Sequence, residues 1–129
     1  MASILVVDDD PDVVNLLRIL FEKTGYSVEE AMDGAQVLSR LGLEPPRPGA
    51  ARPDAIVLDV MMPNVDGYTV ARRLAEEDRT KGIPVVILTA KGQMRDLFSS
   101  CPNVAGYLEK PFDPAALQKM VAEAVRPKS

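Results

Sequence analysis

The six residues "DAIVLD" at positions 54–59 constrain the fold of this chain more than any other stretch. Between two aspartates stand Ala55, Ile56, Val57 and Leu58, with no polar residue alternating among them. A strand covered on one side alternates apolar and polar positions, whereas an unbroken apolar strand is covered on both. That pattern belongs inside a parallel sheet, because parallel strands need long crossovers and the crossover helices lie over both faces. The rest of the chain must then supply strands and helices in alternation.

It does so. Ser3–Val7 is a short β-rich apolar run, followed by Asp10 as a helix N-cap and Pro11 at the first helical position. Val13, Val14, Leu16, Leu17 and Leu20 form the expected buried stripe of that helix, which Gly25 stops. Tyr26–Ala31 reads as a strand, Asp33-Gly34 as a turn and Ala35–Leu41 as a helix. The stretch "GLEPPRPGAARP" interrupts regular structure, since its four prolines remove donors and fix backbone angles. It contains a PxxP pattern but is expected to be a surface loop. After "DAIVLD", the segment "MMPNVDG" reads as a loop. Helix Tyr68–Glu77, strand Ile83–Leu88, a helical candidate at Gln93–Ser100, strand Ala105–Leu108 and helix Pro114–Val125 complete five strands and five helices. The expected fold is α/β, a five-stranded doubly wound parallel sheet, with one domain over residues 1–126 and a short tail at 127–129.

Composition narrows the function. With 129 residues, 47% hydrophobic and 26% charged, the chain has the size and balance of one globular domain. A net charge of −4 opposes a nucleic-acid backbone, so no nucleic-acid partner is expected. No apolar run approaches the roughly 18 residues of a membrane helix, and the N-terminus lacks a secretory pattern. A cytoplasmic location without a membrane partner is therefore expected. There is no histidine and a single cysteine, Cys101, which removes an internal disulfide, the usual zinc sites and any Ser-His or Cys-His nucleophile pair. Any metal here is a hard cation held by oxygen.

The notable polar residues stand at strand ends. In open parallel sheets, ligands bind beyond the carboxyl ends of the strands where strand order reverses, which in the order 2-1-3-4-5 lies between strands one and three. Asp8 and Asp9 end the first strand and Asp59 ends the third, while Thr89 ends the fourth and Lys110 follows the fifth. Taken singly, the acids would be a solvated helix start, Lys110 a surface lysine and Thr89 a strand-end hydroxyl. Together, at matching strand ends, they point to a site.

The ordered segments "ILVVDDDP", "DAIVLDVMMPNVDG", "VVILTA" and "YLEKPF" resemble the receiver domains of bacterial two-component response regulators, including the stand-alone chemotaxis type, over nearly the whole chain. The resemblance implies a flavodoxin-like sheet in the order 2-1-3-4-5. It implies Asp59 as phosphoryl acceptor from a histidine kinase or phosphotransfer protein. Mg²⁺ would be held by Asp9, Asp59 and the carbonyl of Met61, with Asp8 acting through water. Lys110 would pair with the phosphoryl oxygens and the Thr89 hydroxyl would donate to one of them. Tyr107 would then move inward and alter the face of the fourth helix, fifth strand and last helix, which meets a downstream protein target. Such a chain is not a turnover enzyme, beyond catalysing its own phosphorylation and dephosphorylation.

Two regions depart from the family pattern: the long proline-rich connection, and "KGQMRDLFSSCPNVAGY", where Pro102 ends the fourth helix early. Met61, two residues beyond Asp59, is apolar, so it is expected to position attacking water poorly and prolong the phosphorylated state. Two alternatives stand beside the receiver: a phosphorylation-independent scaffold on the same fold, and an aspartate-based phosphatase. The phosphatase order places the nucleophile after the first strand and an acidic pair after the lysine, the reverse of the order here.

Overall fold

The computed structural model describes residues 2–43, 52–59, 67–78, 80–90, 103–110 and 113–125. Five strands, β1 (Ser3–Val7), β2 (Ser27–Ala31), β3 (Ala55–Asp59), β4 (Val85–Ala90) and β5 (Val104–Lys110), form one sheet. All pairings are parallel and the order is β2-β1-β3-β4-β5, as expected. Four helices are described: α1 (Pro11–Lys23), α2 (Gly34–Arg40), α3 (Gly67–Glu76) and α4 (Pro114–Val125). The helix expected at Gln93–Ser100 and the proline-rich positions 44–51 lie outside the described residues.

Every residue of β3 is buried, which is what its unalternating sequence requires. The sheet is covered on both faces by two separate clusters. Leu5, Val7, Ile56, Leu58, Val85 and Ile87 face one layer, packed against Val37, Leu38 and Leu41 around α2 and Val70, Ala71 and Leu74 of α3. Their neighbours in sequence, Ile4, Val6, Ala55, Val57, Val86 and Leu88, face the other, against Val14, Leu17 and Phe21 of α1 and Leu117 and Val121 of α4. The period of two along each strand thus feeds two cores at once.

The helix ends follow from local chemistry. Asp10 caps α1, its carboxylate accepting the Asp12 N–H at 2.9 Å, and Pro11 occupies the first turn, where an N–H would have no partner. Gly25, at φ 95°, takes the left-handed conformation just past the α1 C-terminus. Asp33 caps α2 by accepting the Gln36 N–H at 2.9 Å, while the Gln36 side chain accepts from Met32 N at 2.8 Å.

The buried stripe of α1 differs from the expected one. Val14, Leu17 and Phe21 are buried and Val13 and Leu20 flank them, but Leu16 is 49% exposed. Each helical residue turns by about 100°, so the 14-17-21 spacing holds one face and carries Leu16 to the rim. Phe21 also meets Tyr26 edge to face, with centroids 5.9 Å apart.

Candidate functional site

The register of the sheet brings the acids together. Val7 pairs with Leu58, so the next residues, Asp8 and Asp59, leave β1 and β3 at the same level, at the carboxyl edge where strand order reverses. Asp8 is 1% exposed and Asp59 4%, while Asp9 is exposed. One carboxylate oxygen from each of Asp8, Asp9 and Asp59 lies within 4.8 Å of the other two. Three acids from two chain segments thus converge as their sequence positions suggest.

Backbone groups hold the innermost acid. The Asp8 N–H donates to the Ala31 carbonyl at the end of β2, at 3.3 Å, and its Oδ1 accepts from the Asp10 N–H at 3.0 Å. Asp10, read from sequence only as a helix cap, therefore has a second role through its main chain. The i, i+2 spacing of acid and amide was the available signal for it. The segment "DDDP" sorts into one acid turned inward, one toward solvent and one capping α1.

Two carboxylates 4.8 Å apart repel by about 1 kcal/mol in water and by about 3.5 kcal/mol at the effective dielectric of a protein site. A cation relieves that cost, and the donor set selects its kind: three carboxylates are hard oxygen ligands, with no sulfur or imidazole among them. Octahedral Mg²⁺ takes oxygens about 2.1 Å away, so neighbouring ligand oxygens stand about 3 Å apart and the ion retains waters. Carboxylate oxygens already within 4.8 Å of one another can close toward an ion by side-chain rotation, or meet it through a water at one of them, so the residues fit the ion.

Thr89 and Lys110 reach this edge through the backbone. Leu88 pairs with both Asp59 and Leu108, placing Thr89 one residue and Lys110 two residues beyond the level of the acids. The side chains of Thr89 and Lys110, and all of Met61, lie outside the described residues. Two surface depressions open at the opposite edge of the sheet, around Asp54, Lys81, Gly82 and Ile83, and neither is lined by the acidic cluster.

A family model of the response regulator receiver domain matches residues 4–122. The chain belongs to this family. Among its relatives, the DNA-binding dual master transcriptional regulator RpaA of Synechocystis is 43% identical over 88% of this chain and 44% of its own length. Protein PilH of Pseudomonas aeruginosa is 33% identical over 94% of this chain and 95% of its own. The chain thus spans about half the length of RpaA and nearly all of PilH. Among solved structures, the receiver domain of the sensor histidine kinase PA1611 of Pseudomonas aeruginosa holds a magnesium ion in its active-site cleft. It superposes with a TM-score of 0.80 at 27% identity, covering 96% of this chain and 97% of that one. The receiver fold and family expected from the four motifs are those found, and receiver domains are signalling phosphoacceptors rather than turnover enzymes. No described helix is long and apolar enough to cross a membrane.

Proposed function

We propose that Asp59 is the phosphoacceptor of this receiver and that Asp8 and Asp9 complete its Mg²⁺ site. The observation that carries the proposal is the meeting of three carboxylate oxygens within 4.8 Å, two of the acids being buried at adjacent strand ends. Asp9, Asp59 and the carbonyl of Met61 would hold the ion, with Asp8 acting through an intervening water. When bound, Mg²⁺ neutralises charge on the phosphoryl oxygens.

An Asp59 carboxylate oxygen attacks the phosphorus of a phosphohistidine on a histidine kinase or phosphotransfer protein. The P–N bond breaks, its electron pair stays on the imidazole, and an aspartyl-phosphate forms. The Lys110 ammonium pairs with the transferred oxygens and the Thr89 hydroxyl donates to one of them. Tyr107 then shifts, and the face made by the segment around 93–100, β5 and α4 presents a changed surface to a protein target. Residues 1–126 are taken as the receiver unit and 127–129 as a tail. The place of action is the cytoplasm, the partners are proteins, and no nucleic-acid or membrane contact is assigned to this segment.

Incubation with Mg²⁺ and acetyl phosphate, followed by intact mass, tests the proposal. One phosphoryl group per chain is expected, lost in Asp59→Asn and in EDTA. Absence of labelling would favour the phosphorylation-independent scaffold. Multiple turnover of a general phosphomonoester would favour the aspartate-based phosphatase.

A further inference from the structure

Asp10 stands between the acidic site and α1 and is bonded to both. Its N–H donates to Asp8 Oδ1 at 3.0 Å, its carbonyl accepts the Val14 N–H at 3.1 Å, and its carboxylate accepts the Asp12 N–H at 2.9 Å. The first bond meets the buried acid; the other two belong to the helix. Pro11, next in the chain, has a fixed φ and no N–H, so the step from Asp10 into α1 has little freedom. The helix is firmly seated: Val14, Leu17 and Phe21 lie in the core, and Arg18 pairs with Glu30 of β2 as well as with Glu22. A carboxylate, however, turns on a soft terminal torsion, and a hydrogen bond at one oxygen narrows it. The Asp10 N–H thus carries the position of α1 to the carboxylate of Asp8.

We propose that the Asp10 side chain is a positioning residue for Mg²⁺: by capping α1 it fixes the backbone N–H that orients Asp8, and so sets the affinity of the site for the ion. This rests on Asp8, Asp9 and Asp59 being the Mg²⁺ site. Asp10 is exposed and acts through the helix rather than by touching the ion. Without the cap, the Asp12 N–H loses its acceptor, the first turn frays, and the Asp10 N–H moves with it. Asp8 then loses one of the bonds that orient it, and ordering it falls to the ion. Groups standing behind a metal ligand are worth about 10- to 100-fold in affinity. Charge and cap are separable at this position. Serine keeps the cap without the charge, whereas glutamate keeps the charge but holds its carboxylate one methylene farther out and is not among the good caps. The linkage is reciprocal, so Mg²⁺ also tightens the first turn of α1.

The test is calorimetric titration of the full chain with Mg²⁺ at physiological ionic strength, where the charge of an exposed side chain is screened. Wild type is compared with Asp10→Ala, Asp10→Ser, Asp10→Glu and Asp33→Ala. Asp33 caps α2 in the same manner and controls for the loss of a cap as such. Asp10→Ala and Asp10→Glu should bind Mg²⁺ about tenfold more weakly, with Asp10→Ser and Asp33→Ala close to wild type. In wild type, Mg²⁺ should also slow amide exchange at Asp12 and Val14, read by NMR. An affinity kept by Asp10→Glu and lost by Asp10→Ser assigns the effect to charge and overturns the positioning role. So does an Asp10→Ala that binds as wild type does, an Asp33→Ala weakened as far as Asp10→Ala, or exchange at Asp12 and Val14 indifferent to Mg²⁺. A wild type that takes up no Mg²⁺ overturns the metal site, and the proposed function with it. Should Asp10→Ala fail to fold, Asp10→Glu carries the same comparison.

Discussion

Asp8→Asn isolates the electrostatic cost of the acidic cluster. The asparagine retains an Oδ1 to accept the Asp10 N–H, so the hydrogen bond at 3.0 Å survives while one charge is removed. Its repulsion with Asp59, both residues being buried, is about 3.5 kcal/mol at an effective dielectric near 20; that with exposed Asp9 is closer to the aqueous value of about 1 kcal/mol. Further polar partners of Asp8 and Asp59 share this field, so we expect a net gain of about 1 to 3 kcal/mol in EDTA. For a domain of this size that is a rise in Tm of about 3 °C or more. Adding Mg²⁺ at about tenfold over its Kd should stabilise wild type by about 1.4 kcal/mol through linkage, and Asp8→Asn by clearly less. Differential scanning calorimetry in EDTA and in Mg²⁺ measures both quantities. A variant melting below wild type in EDTA, or equal Mg²⁺ increments in the two proteins, would refute the account of the cluster as mutually repelling acids awaiting a cation.

Other substitutions test the packing and the chemistry. Leu17→Ala should cost about 3 kcal/mol and Leu16→Ala no more than about 0.5 kcal/mol in urea unfolding, because Leu17 is fully buried and Leu16 is on the rim of α1. Asp33→Ala removes the acceptor for the Gln36 N–H and should cost about 1 kcal/mol, visible as a lower urea midpoint at unchanged slope. Met61→Asn, loaded with acetyl phosphate and followed by mass after removal of donor, should lose its phosphoryl group faster than wild type. An equal or slower loss counts against water positioning at residue 61.

The parallel sandwich was legible because β3 has no alternation at all, and only two helical layers can bury both its faces. The acidic site was legible because an open parallel sheet sends the ends of β1 and β3 to one edge; the observed register, with Val7 opposite Leu58, adds the level at which they meet. Other features left no local trace. Leu16 and Phe21 are both apolar, and which of them faces inward depends on the phase of α1 against the sheet. β5 runs to Lys110, past the expected end at Leu108, because pairing with β4 continues through polar Glu109. The Met120 contact with Gly106 joins residues brought together only by folding; the glycine in "VAGY" signals a bulge or a close approach in the strand but not which residue meets it.

The two-sided burial of β3 has a consequence for how such a domain diversifies. A carboxylate cannot enter the slab of the three central strands, β1, β3 and β4, except where a strand is about to leave the sheet, so reactive groups there are confined to one rim and the interior is left to apolar side chains. Connecting segments around that rim are then free to vary in length and composition, giving different recognition properties, while the slab beneath sets where the nucleophile stands.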